Sequence, residues 1–258
     1  MTNVPLDDRG FTLGHGLFET VLWSDGRLDG FEDHAERMRR GCRALGLPTP
    51  DSAKLEAAAR DALAAAGTPA RAAVRLTWTA GSGARGLDAA DPITPRLVAL
   101  AAPSPPPGGP ARLAIARTRR NDRSPAARVK SLAYLDNVLA RAEAQAAGAD
   151  EALMLNTAGE IACAAAANVF WIRHGEVFTP TLEAGVLDGI VRRRVIAACH
   201  DLGLPVHEVF ANPGRLNGAP MFITNSLIGV RAVCDLNGSA LATSPLVARI
   251  SKAVSRSL

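Results

Sequence analysis

Residues 130–156 read KSLAYLDNVLARAEAQAAGADEALMLN. Leu132, Leu135, Val138, Leu139 and Ala142 recur at helical spacing, which predicts a helix over Leu132–Ala146 with one apolar stripe. Glu151–Leu155 follows as a short run of strand type. A lysine stands directly before the helix. Of 29 lysines and arginines only three are lysine: Lys54, Lys130 and Lys252. Arginine keeps its proton, whereas lysine can lose one and act as a nucleophilic amine. Lys54 and Lys252 fall in polar faces of helical stretches, where a surface cation is sufficient explanation. Lys130 closes a basic, irregular stretch at the start of a helix, a position from which a side chain can point into a cleft. Partial desolvation and neighbouring arginines would there favour the free amine. An ordinary surface lysine is the competing reading, and spacing alone does not choose between them.

Upstream, Phe18–Trp23 is β-prone and runs into the turn Ser24-Asp25-Gly26. Phe31–Leu45 has helical spacing with Gly46 as its stop, and Asp51–Ala66 is a second helix with Asp51 or Ser52 as N-cap. Arg71–Thr79 and Pro95–Ala102 read as strands. Pro103-Ser104-Pro105-Pro106-Pro107-Gly108-Gly109-Pro110 excludes helix and central strand, so the expected domain boundary lies there, dividing the chain into 1–107 and 108–258. Beyond it, Arg112–Arg117, Asn168–Arg173, Val177–Thr179 and Met221–Thr224 are strand-like, while Gly189–Leu202 and Pro245–Val254 are helical. Strands and helices alternate imperfectly, which indicates an α+β fold with mixed sheets.

Composition narrows the function. With 258 residues, 48% of them hydrophobic, the chain can bury a large core. It contains no apolar run long enough for a membrane helix. The start MTNVPLDDRG has no signal-peptide pattern, and four scattered cysteines form no CxxC pair, so a cytoplasmic protein with free thiols is expected. The net charge of +4 comes from basic residues interleaved with acids. Arg117–Arg123 and Arg192–Arg194 are short and lack aromatic stacking partners, which argues against nucleic-acid binding. Five histidines show no metal-ligand spacing, and no GxSxG elbow occurs, so neither a metal site nor a hydrolase triad is expected. Gly81-Ser82-Gly83-Ala84-Arg85-Gly86 is neither a Walker loop nor a GxGxxG and reads alone as a flexible loop.

The stretch from Lys130 resembles the segment around the cofactor-bearing lysine of class IV aminotransferases. That fold-type IV group contains branched-chain and D-amino-acid aminotransferases and aminodeoxychorismate lyase. Further matches are collinear: DRGFTLGHGLFET from Asp8, HAERM with Arg37, AANVFW at Ala166–Trp171, GVLDGI at Gly185–Ile190 and TNSLIGV at Thr224–Val230. The resemblance implies a two-domain α+β fold of the D-amino-acid aminotransferase type with pyridoxal 5'-phosphate in the interdomain cleft, and a homodimer acting on a small-molecule substrate. It implies that Lys130 holds the cofactor. It also implies that Arg37, the Ser226 hydroxyl and amides near Ile190, Val191 and Leu227 hold its phosphate. These types suit a dianion, which takes a bidentate guanidinium and the amides of a helix start.

Within the family, Thr20, the loop TAGSGARG and the AANVFW and NSL motifs resemble 4-amino-4-deoxychorismate lyase, which releases p-aminobenzoate and pyruvate in folate synthesis. On that resemblance Arg85 binds a substrate carboxylate, Asn225 orients the substrate, Lys130 removes the proton at the amine-bearing carbon, and Lys130 or Thr20 returns one to the leaving group. An aminotransferase for D- or branched-chain amino acids is the alternative. A non-catalytic descendant binding the cofactor or another metabolite is a third. The chain departs from the family pattern at Cys163, which stands where a glutamate normally pairs with the pyridine nitrogen. A thiol is a poor partner there. Glu160, three residues away, is expected on the opposite strand face. His15 and a short stretch before DRG are further departures.

Overall fold

The computed structural model describes residues 4–256; Met1–Asn3, part of the stretch read for a signal peptide, lie outside them. The chain forms two compact units. The first contains the residues up to Pro105 together with Val129–Ala133, and the second contains Pro106–Arg128 and the residues from Tyr134 onward. The crossing falls inside the proline run, and five residues around Lys130 return to the first unit.

In the first unit a short helix α1 (Arg9–Leu13), with Asp8 as its N-cap, precedes β1 (Gly16–Ser24). Asp25 and Gly26, at φ 52° and 77°, turn the chain into β2 (Arg27–Leu28). This is the turn geometry that a two-residue hairpin requires. Helix α2 (Phe31–Leu45) ends at Gly46, and α3 (Ser52–Ala65) is capped by Asp51, whose carboxylate accepts from Ala53 N at 2.7 Å. β3 (Arg71–Thr79) and β4 (Arg96–Pro103) complete an antiparallel sheet in the order β2-β1-β3-β4. Strand alternation turns Leu17, Val21, Val74, Leu76 and Trp78 toward Met38 and Cys42 of α2 and Leu55, Ala59 and Leu63 of α3. Phe18, Thr20, Arg75 and Thr77 therefore occupy the other face.

The second unit runs β5 (Ala111–Ile115), α4 (Pro125–Arg128), α5 (Leu135–Ala146), β6 (Glu151–Leu155), β7 (Ile161–Ala164), β8 (Asn168–Arg173), β9 (Glu176–Pro180), α6 (Ile190–Asp201), β10 (Val206–Val209), β11 (Met221–Asn225), β12 (Gly229–Leu236), β13 (Ser239–Ala240) and α7 (Pro245–Arg256). Its nine-stranded mixed sheet has the order β10-β9-β8-β11-β12-β5-β6-β7, with β13 beside β12. Leu113, Leu153, Trp171, Met221 and Ile223 share one core. On the opposite face Ala140 and Ala144 of α5 pack on β6 and β7, while α6 and α7 cover Phe170 and Phe222. Burial on both faces explains why Glu151–Leu155 shows no polar alternation.

Two expectations for the segment after Lys130 need correction. The helix starts at Leu135 rather than Leu132. Phe18 N donates to Lys130 O and Leu132 N to Gly16 O, both at 2.9 Å, and this pairing with β1 replaces the first helical turn. The apolar stripe is also not the buried face of α5. Leu135, Val138 and Leu139 are 67%, 58% and 47% exposed, while Asn137, Ala140 and Ala144 face inward. β7, β10 and β12 had no clear sequence signal. β12 carries Arg231 and Asp235 within a largely half-buried strand. No described helix is long and apolar enough to cross a membrane.

Candidate active site

In the first unit Lys130 and Thr20 share the sheet face away from α2 and α3. Ser131 forms an antiparallel bridge with Leu17, so Lys130 lies opposite Phe18 and shares its face. Gly16 makes this pairing possible, because a Cβ there would meet Trp78 O at 2.5 Å and Leu132 Cδ1 at 2.8 Å. Lys130 Nζ sits 4.2 Å from the centroid of the Phe18 ring, and Arg75 Cζ sits 3.8 Å from the same centroid. Thr20 pairs with Arg75 across β3, two residues along from Phe18 and on the same face. An amine and a guanidinium are thus grouped around one aromatic ring, with the Thr20 hydroxyl further along the same strand face.

On the opposite face of β1, Glu19 is 1% exposed. It accepts from Arg37 Nε at 2.8 Å and Nη2 at 2.6 Å, and lies 2.7 Å from His34 Nδ1. Burial alone would raise the Glu19 pKa, but Arg37 and His34 outweigh it and hold the carboxyl well below the usual range. Burial pushes His34 down more strongly than Glu19 raises it, so its ring is neutral near pH 7. Arg37, expected at a phosphate, is therefore held by a buried carboxylate. Two of its nitrogens are committed to that pair. Glu19 and His34 escaped the sequence reading, although both stand inside quoted motifs.

In the second unit the start of α6 is prepared for an anion. Its N-cap, Gly189, supplies no side-chain acceptor, so the amides of Ile190 and Val191 need a partner from outside the helix. Asn168 donates to Leu187 O at 2.9 Å and comes so near that a Cβ on Gly189 would lie 2.0 Å from its Oδ1. Thr224, paired with Asn168 in the sheet, is 1% exposed, and its hydroxyl has no hydrogen-bond partner. It shares a strand face with Phe222, the face that packs against α6. Ser226 and Leu227 lie in the turn that follows. Asn225 accepts from Leu227 N at 2.9 Å and Ile228 N at 3.0 Å, and donates to Ala166 O at 2.8 Å. The turn thus employs Asn225 and the Leu227 amide internally, for the ordinary reason that asparagine closes such turns.

Cys163 is buried in β7 opposite Met154. Burial raises its pKa, against the lowering effect of Arg120, so the thiol stays neutral. Glu160 is not on the strand that was expected to turn it to the opposite face. It lies in the turn before β7 and accepts from Asn156 Nδ2 at 2.9 Å. Arg120, which sequence reading passed over, is 8% exposed and donates to Gly185 O, Asn137 Oδ1 and Ala127 O at 3.0, 3.1 and 2.6 Å. A buried guanidinium on neutral acceptors keeps its field. Arg85 lies exposed in the loop between β3 and β4.

In the first unit the Lys130 amine suits an aldehyde; in the second, the uncapped start of α6 and the orphaned Thr224 hydroxyl suit a phosphate. The amino-transferase class IV family model matches residues 16–236. The aminodeoxychorismate lyase of Vibrio harveyi is 28% identical over 243 residues, covering 92% of this chain and 88% of that one. The D-alanine aminotransferase of Bacillus licheniformis is 25% identical over 261 residues, covering 99% and 92%. A crystal structure from Legionella pneumophila, provisionally assigned as a 4-amino-4-deoxychorismate lyase, superposes with a TM-score of 0.93 at 27% identity, covering 100% of this chain and 96% of that one. The chain belongs to the amino-transferase class IV family and is a pyridoxal-phosphate enzyme.

Proposed function

We propose that this enzyme is a 4-amino-4-deoxychorismate lyase releasing p-aminobenzoate and pyruvate. One observation carries the reading: Thr20 stands on the same strand face as Lys130, next to Phe18. A hydroxyl beside the amine offers a second proton carrier, which a reaction expelling a carbon fragment can use. Similarity to the Vibrio harveyi lyase over most of both chains supports it.

Pyridoxal phosphate, when bound, withdraws electrons from the carbon bearing the substrate amine. Lys130 would hold the cofactor through Nζ, and its amine is the base for the proton on that carbon. The ring then loses enolpyruvate and becomes aromatic, and Thr20 Oγ1 or Lys130 Nζ returns a proton to the departing carbon to give pyruvate. Ser226 and the amides of Ile190 and Val191 would bind the phosphate, while Arg37 stays on Glu19. Arg85 binds a substrate carboxylate. Cys163 would give the pyridine nitrogen a weak partner, which an elimination driven by aromatisation tolerates better than amino transfer does. A second copy of the chain completes a homodimer, and the exposed apolar side of α5 supports this.

Amino transfer from a D-amino acid is the second reading, favoured by the D-alanine aminotransferase relative that aligns over 99% of this chain. A product assay separates the two. The purified enzyme is expected to release pyruvate and p-aminobenzoate from 4-amino-4-deoxychorismate, and Lys130→Ala to abolish the release. Borohydride is expected to attach the pyridoxyl group to the Lys130 peptide. Transfer from D-alanine to 2-oxoglutarate without pyruvate release from aminodeoxychorismate would replace the lyase by the transaminase.

A further inference from the structure

Asp8 and Arg9 open the N-terminal motif, with Asp7 just before it, yet the chemistry above leaves all three without a task. Arg9 is 3% exposed. Its Nη1 donates to Gly86 O at 3.3 Å and Asp88 O at 2.9 Å, and its Nη2 donates to Leu87 O at 2.7 Å. Three consecutive carbonyls of the β3–β4 loop thus converge on one guanidinium. Nε donates to His15 Nδ1 at 3.3 Å, and burial, aided by the Arg9 charge, keeps His15 below its usual range and therefore able to accept.

The neighbouring aspartates fix the ends of the same loop. Asp8 Oδ2 accepts from Thr79 Oγ1 at 2.9 Å and Arg96 Nε at 3.2 Å, which are the last residue of β3 and the first of β4. Asp7 accepts from Ser82 Oγ at 3.0 Å and, through its carbonyl, from Gly83 N at 3.2 Å. Residues 84–92 have exposed side chains, with Leu87 at 84%, so the loop has little apolar packing to hold its shape. Such loops open locally at low cost. A planar guanidinium with five fixed donors can set the direction of several carbonyls at once, which a lysine ammonium cannot.

We propose that Arg9 is a positioning residue for substrate recognition: by holding the carbonyls of Gly86, Leu87 and Asp88 it orients the backbone immediately after Arg85, and so presents the Arg85 guanidinium to a carboxylate of the substrate. The proposal rests on the reading of Arg85 as a carboxylate-binding residue. Gly83 offers a way to disturb the clamp while keeping the charge. A Cβ there would meet Arg9 Cδ at 2.7 Å and Cγ at 3.1 Å, and Gly83 does not adopt a left-handed φ.

The test uses the holoenzyme, with Arg9→Lys, Gly83→Ala, Arg85→Ala and the Arg9→Lys/Arg85→Ala double variant. Trypsin cleavage at the Arg85–Gly86 bond is mapped by mass spectrometry against cleavage after Arg117, whose side chain is 94% exposed. KM and kcat are measured with 4-amino-4-deoxychorismate. Arg9→Lys and Gly83→Ala are each expected to speed cleavage at Arg85 about tenfold and to raise KM about tenfold, with kcat within about twofold. In the Arg85→Ala background, Arg9→Lys is expected to raise KM no further. Unchanged cleavage in both clamp variants overturns the proposal, as does faster cleavage with an unchanged KM when Arg85→Ala raises it. An unchanged KM in Arg85→Ala overturns the Arg85 reading itself, and this proposal with it.

Discussion

At the residue scale, the sharpest question is what a neutral buried thiol does at position 163. Arg120 contributes positive charge nearby, yet burial dominates and the thiol keeps its proton. On the proposed placement of the pyridine nitrogen beside it, a carboxylate in its stead would strengthen electron withdrawal by the cofactor, which helps amino transfer more than an elimination that creates an aromatic ring. Cys163→Glu is therefore expected to leave pyruvate release within about threefold of the parent while raising transfer from D-alanine to 2-oxoglutarate about tenfold. A large rise in lyase turnover would show instead that cysteine cripples the enzyme. His34 gives a second prediction. Its folded pKa lies below the ordinary value of about 6.5, so between the two values the unfolded chain binds the extra proton. Stability contributed by the neutral ring is complete above about pH 6.5 and declines as the pH falls, by up to about 1.4 kcal/mol per unit. Urea midpoints at pH 7.5 and 6.0 should drop more for the wild type than for His34→Gln. Equal drops would mean that His34 is not held neutral.

Among the elements, α6 is the one proposed to receive the phosphate. Its first turn has no side-chain cap, and the chain before it is tied down by Asn168. Only glycine fits at 189, since a methyl group would lie 2.0 Å from Asn168 Oδ1. Gly189→Ala should push Asn168 and the helix start apart. The expected result is pyridoxal-phosphate affinity lowered about tenfold, read by equilibrium titration of the cofactor's absorbance, with the circular-dichroism spectrum of the helices unchanged. Undiminished affinity would move the phosphate away from this helix. β1 works differently. It divides its labour by strand alternation, with Glu19 buried among α2 residues and Phe18 and Thr20 turned to the Lys130 side.

For the whole molecule, the outward side of α5 is the least settled surface. Leu135, Val138 and Leu139 form an uncharged strip on a helix whose other side is already packed. If a second copy covers it, Leu139→Glu buries an unpaired charge at the centre of the contact. Sedimentation equilibrium should then give twice the chain mass of 26.9 kDa for the wild type and a single mass for the variant. Identical masses would exclude the strip from any such contact.

Local signals were enough for α2 and β3, whose expected bounds, Phe31–Leu45 and Arg71–Thr79, match the structure. A glycine stop, an N-cap and a two-residue period act within a few residues, so they can be read without knowing the fold. Lys130 stood out because arginine had taken nearly every other cationic position. Other features depended on residues distant in the chain. Helical periodicity says which side chains share a side, not which side is covered, and so the α5 strip looked like core. Pairing with β1 unwound the expected first turn of that helix and set Lys130 against Phe18. Nothing near Arg9 in sequence announced that its guanidinium would hold carbonyls at 86–88, and nothing near Arg37 announced Glu19. Hydrogen bonds and buried ion pairs between remote positions exist only after the chain has closed on itself, because only then is water removed from both partners at once.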